Sequence, residues 1–335
     1  MLFASRALVR ATVTNGKSSL SPPNAARVVS EHKPTGKNSP AHYLPISPTL
    51  PLPAPAPVSL RDDTFEPANP AAYHLCALAG PGRLRVLAVE AARHKVVAFD
   101  DVTYPADTGL LAALAEHPLL GQPGWGRVRL ALAGPAPVLL PTPLFRAGDE
   151  AALLTPHQAL SADDEALTYS LPLPTPATEV LSLFAADRRL APWLRATHGA
   201  EARLLPQASG LLAGLLHQRG PAAAPRQLYL SLADQQLTAV VLGPQLEFCN
   251  VFRVSTAEDV LYYAILVMQE LDLNPDQDPV TIWGELTGDS ATFQLLSTYV
   301  RQLRFGARPF GLEYFYYLNE IAEHRHFDLF SLAFC

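Results

Sequence analysis

The stretch QLYLSLADQQLTAVVLGPQLEFCNVFRV, residues 227–254, decides the fold. It holds three apolar runs, at 227–233, 236–243 and 245–254, each too short for a helix. Asp234-Gln235 separates the first two and Gly243-Pro244 the last two, so the segment reads as three strands joined by tight turns. Residues 255–273, STAEDVLYYAILVMQELDL, then carry a helical pattern. PVTIWG at 279–284 is a fourth strand, and SATFQLLSTYVRQL at 290–303 a second helix.

Working outward, the same order occurs upstream. YHLCALA (73–79), RLRVLAVE (83–90) and KVVAFDDVTY (95–104) are three strands, and TGLLAALAEH (108–117) is a helix. GRVRLALA (126–133) is the next strand. Arg83 and Arg85 alternate with Leu84 and Val86 as in a half-buried strand. Further strands at 178–184 and 202–206 and helices at 186–199 and 208–219 follow. RGPAAAPR, residues 219–226, stops the last of these helices and serves as a linker. An antiparallel meander followed by alternating helix and strand makes a mixed α/β sheet covered by helices. Its appearance twice predicts an internal duplication of structure, with lobes at 58–222 and 223–335.

The chain has 335 residues, 49% hydrophobic and 17% charged, with formal net charge −6. Residues 1–57 carry six cations against the single acid Glu31, a charge of +5, which leaves −11 for the remainder. Ten of the 32 prolines lie before residue 58. This segment is expected to be a disordered, proline-rich tail whose first residues have the composition of a transit peptide. An acidic body without a Lys/Arg cluster argues against a nucleic-acid partner. The three cysteines, Cys76, Cys249 and Cys335, are far apart and form no CxxC pair, as expected of free thiols in a reducing compartment. No apolar run reaches the length of a transmembrane helix, so no membrane insertion is expected.

The doubled order resembles two tandem ribonuclease H-like units, the arrangement of the actin-like ATPase fold. EFCNVFRVSTAEDVLYYAILVMQEL, residues 247–271, resembles more closely the signature of a bacterial family catalogued as domain of unknown function 3822. The matching features are Asn250-Val251-Phe252, Glu258-Asp259, the Tyr262-Tyr263 pair and the closing HRHFDLFSL at 324–332. The resemblance implies an actin-like fold and a bacterial cytoplasm, and similarity to the actin-like scaffolds of pilus and secretion machines. It implies no reaction.

An actin-like ATPase needs two hairpin turns whose bare backbone reaches phosphate, an acid that positions Mg²⁺, and a glycine turn against adenosine. The first hairpin offers Gly80-Pro81-Gly82, with no acid and one N–H removed by proline. The second places Asp234 where the acid belongs, but Gln235 and Gln236 replace glycines. Gly284 and Gly288 match the adenosine turn in position, and either can equally serve a tight strand-to-helix connection, with Asp289 or Ser290 as the helix cap. Asp234, Gly284 and Gly288 are therefore the nucleotide-binding candidates of a degenerate site, and the two glycines are expected to serve folding.

Other constellations reduce to structure. Ser255 and Glu258 form a capping box at a helix start. His324 and His326, with Glu320 and Glu323 nearby, have metal-ligand chemistry but a spacing that does not converge on one ion in a helix. No G-x-S-x-G elbow occurs. The first strand of each unit carries no nuclease carboxylate. The expectation is a protein with no catalytic residues, no metal and no cofactor, which binds a protein partner as an interaction or scaffold module. The alternatives are a degenerate ATP-binding switch and an enzyme with an unrecognised interlobe site.

Overall fold

The structure is a computed structural model that describes residues 56–105, 107–171, 179–219 and 225–335. The expected tail, save its last two residues, and most of the 219–226 linker lie outside these. In chain order the first lobe contains β1 (Val58–Arg61), β2 (Tyr73–Gly80), β3 (Arg83–Glu90), β4 (Lys95–Thr103), α1 (Leu110–Glu116) and β5 (Arg127–Leu132). Next come β6 (Val138–Pro141), α2 (Glu150–Leu154), β7 (Asp164–Ser170), β8 (Val180–Asp187), α3 (Leu190–His198), β9 (Arg203–Pro206) and α4 (Gln207–Arg219). The second lobe has β10 (Gln227–Ala233), β11 (Gln236–Leu242), β12 (Leu246–Arg253), α5 (Ala257–Glu270), β13 (Val280–Gly284), α6 (Ala291–Tyr299) and β14 (Leu303–Phe305). Helix α7 (Phe327–Ser331) closes the chain.

The two main sheets repeat one topology. The second has the order β12-β11-β10-β13-β14, and the first has β1-β4-β3-β2-β5-β9. In each, a three-stranded antiparallel meander is extended on the side of its first strand by two parallel strands. Parallel neighbours require a crossover, which the intervening helices supply. Strand β1 is an extra antiparallel edge beside β4. The segment between β5 and α3 builds a third sheet, β6-β8-β7, over its own small core of Leu140, Leu154, Leu181 and Leu183.

Alternation sets the cores. Leu228, Leu230 and Leu232 of β10 join Val260, Ala264, Val267 and Met268 of α5 in the second-lobe core. The spacing of the α5 residues is that of one helical face. The cap of α5 falls one residue later than the Ser255–Glu258 box expected from the sequence. Thr256 is the N-cap: its hydroxyl accepts from Asp259 N at 3.1 Å, and Asp259 Oδ2 accepts from Thr256 N at 3.0 Å. STAED contains two overlapping boxes of the same form, and the later one starts the helix with Ala257 and Val260 buried. Ser290, not Asp289, caps α6.

Helix α4 joins the lobes, and its residues from Gln207 to Leu215 are all buried. A helix apolar all round must be covered all round. Ala208, Leu211, Leu212 and Leu215 share a core with Val240, Leu242, Cys249 and Trp283 of the second sheet and with Phe327. On another side α4 packs on α7, where a Cβ at Gly210 would stand 2.6 Å from the Asp328 carbonyl and one at Gly214 2.0 Å from Ser331 Oγ. Past β14 the chain returns to the first sheet: Leu312, Phe315, Leu318, Leu329 and Phe330 form one core with Leu78, Leu87, Val96 and Phe99.

Cys76 and Cys249 are buried in strands β2 and β12, and Cys335 is half-buried; all three are free thiols. Among the described residues no helix is long and apolar enough to cross a membrane.

Candidate functional site

The two hairpin tips meet between the lobes. Pro81 and Gly82 join β2 to β3, and Asp234 and Gln235 join β10 to β11. Asp234 and Gln235 both have positive φ, 48° and 60°, the backbone of a two-residue hairpin turn of the primed type. Aspartate tolerates that conformation better than most residues. Its carboxylate reaches the other lobe, where Asp234 Oδ2 lies 3.3 Å from the position a Cβ on Gly80 would take.

Strand β3 supplies the cations. Arg83 and Arg85, two residues apart, project from one face of the strand. They are only 6% and 1% exposed, so the alternation that reads as a half-buried strand belongs to one buried on both sides. Arg83 holds three carboxylates. Its Nε and Nη2 donate to Asp101 at 2.7 and 2.5 Å, and its Nη1 donates to Asp234 at 3.1 Å. It also forms a fork with Glu285, Nη1 donating at 2.8 Å and Nη2 to the other oxygen. Arg85 Nη2 donates to the second oxygen of Asp234. Bidentate guanidinium–carboxylate pairs are the strong form of such contacts.

Burial works to raise the Glu285 carboxyl, and the hydrogen bond and charge of Arg83 outweigh it, so its pKa lies below the ordinary value. Burial works against the charge of Arg83 as well, but its bonds to Asp101 and Glu285 hold the guanidinium pKa up. His326 stands at the side of the cluster, with Nε2 3.9 Å from Asp101 Oδ2. Burial, reinforced by Arg85, pushes its pKa down to about 3, so it is neutral. Three carboxylates against two guanidiniums leave the cluster at −1.

Asp101, Glu285 and His326 bring ligand atoms within 4.8 Å of one another. A metal does not fit them as they stand, because the Arg83 guanidinium is already bound to both carboxylates and is the cation of the site. Neither does a metal triphosphate fit the hairpin tips. Both oxygens of Asp234 are engaged by arginine, Pro81 offers no N–H, and a further anion would enter a region of net negative charge. The adjacent Asp100 faces the other side of β4, where Arg61 holds it at 2.7 Å through both oxygens and Ser59 donates at 2.6 Å.

The Gly284 turn lies at the same cluster. Gly284 has φ +132°, and a Cβ there would stand 2.0 Å from the Leu232 carbonyl, so only glycine fits. Its N–H donates to the His324 carbonyl at 2.8 Å. The His324 ring donates through Nε2 to the Leu286 carbonyl at 2.6 Å and stacks on Phe305 with centroids 4.2 Å apart. Gly288 differs from the sequence expectation: its φ is not positive and a Cβ there would meet nothing within 4 Å. The structure thus joins Asp234 to the Gly284 turn through Arg83 and Glu285 and leaves Gly288 outside. His324 and His326, whose spacing was not expected to converge on one ion, have different neighbours, the Leu286 carbonyl for one and Asp101 for the other.

Arg83, Arg85, Asp101 and Glu285 are site residues that sequence reasoning missed. The signal that was present is a pair of arginines inside one apolar strand and two aspartates inside the next.

A doubled meander with parallel extensions, joined by a buried helix and with facing hairpin tips, defines the actin-like ATPase fold. Within that class, the chain belongs to the family described as protein of unknown function DUF3822, which matches residues 62–303. A solved Bacteroides thetaiotaomicron protein, described as having an actin-like ATPase fold and unknown function, is similar with TM-score 0.66 and 16% identity. That match covers 81% of this chain and 99% of the other. A chain of the PilM-PilN type IV pilus biogenesis complex is similar with TM-score 0.53 and 16% identity, over 79% of this chain and 98% of that one. At these identities the likeness is one of fold. No curated protein matches the chain.

Proposed function

We propose that this protein is a non-catalytic actin-like body of the bacterial cytoplasm that acts by binding other proteins. One observation carries the reading: the chain's own groups fill the region where the fold class holds nucleotide. Arg83 and Arg85 tie up Asp234 at the hairpin tips, and His324 takes the backbone groups of the Gly284 turn. The apolar interface built on α4 further favours lobes held in a fixed relation, since large hydrophobic contacts oppose domain motion. The similar PilM chain is described in complex with PilN, which favours a protein partner for a body of this shape.

Isothermal titration of the full chain with Mg-ATP tests the reading against a degenerate ATP switch. The expected result is no saturable heat. Saturable binding in the micromolar range that weakens when Gly284 or Asp234 is replaced would overturn it and return the turn to nucleotide work.

A further inference from the structure

We draw no further inference here: the strongest candidate, the cleft of about 450 Å³ between α1 and α3 walled by Leu110, Leu111, Leu190 and Trp193, carries none, because its two charged lining groups, Asp187 and Arg189, are bound to each other at 2.5 Å and nothing in the structure shows what fills it.

Discussion

Replacing Arg83 by methionine should destabilise the protein by about 3–5 kcal/mol, the range for removing one partner of a buried ion pair. Arg83 is 6% exposed, and methionine keeps most of its length, so little of the loss comes from a cavity. What remains is Glu285 and Asp101, with side chains 8% and 6% exposed, without their shared guanidinium. A second route reaches a similar figure. If Glu285 relieves the charge by taking a proton at pH 7, the cost is about 1.4 kcal/mol for each unit above its ordinary value of 4.5, or about 3 kcal/mol. Urea unfolding at pH 7, followed by tryptophan fluorescence and far-UV circular dichroism, measures the loss. Adding Glu285→Gln and Asp101→Asn to Arg83→Met should recover at least half of it, because the stranded charges are then gone. A loss below about 1 kcal/mol, or a triple variant no more stable than the single one, refutes the account of Arg83 as the cation that neutralises the interlobe carboxylates.

Thr256→Ala should cost about 0.5–2 kcal/mol through loss of the α5 cap, while Ser255→Ala stays within about 0.5 kcal/mol; equal losses in urea titrations would return the cap to Ser255. Gly284→Ala should cost at least about 2 kcal/mol, because a side chain there meets the Leu232 carbonyl at positive φ, while Gly288→Ala should change stability by less than about 0.5 kcal/mol. The folded state holds His326 neutral down to about pH 3, whereas an unfolded histidine takes up a proton near 6.5. This contribution is therefore complete above about pH 6.5 and falls by up to about 1.4 kcal/mol per unit as the medium is acidified toward pH 3. His326→Asn should flatten the loss of stability between pH 7 and pH 5, and identical slopes in variant and wild type would count against burial of a neutral ring.

The sheets were legible because each strand of the meander carries its own alternation and ends in turn residues, as at Asp234 and at Gly243-Pro244. The all-round apolar character of SGLLAGLL likewise belongs to a helix between two sheets. The small third sheet was harder to see, since only one of its three strands, at 178–184, reads as a strand in the sequence and nothing local says what it pairs with. The interlobe cluster was illegible for a stronger reason. Arg83 meets Asp234 and Glu285 across separations of 151 and 202 residues, and periodicity describes only neighbours. Arginine alternating with leucine fits a wetted strand face and a doubly buried one equally well, until the partner lobe is in place. The one-residue error at the α5 cap has a local origin in the overlapping boxes of STAED.

The return of the chain to the first sheet bears on biosynthesis. Leu78, Leu87 and Phe99 leave the ribosome before the second lobe does, yet Leu329 and Phe330, which cover them, follow that lobe. The first lobe therefore cannot finish folding while the second is still being translated, and an apolar sheet face stays wet for most of the time the polypeptide is growing. Contacts of such long sequence separation slow folding, and exposed sheet faces invite aggregation. A nonsense mutation anywhere in the second lobe would strand the first one half-built, so completion of the first lobe depends on residues translated after the second.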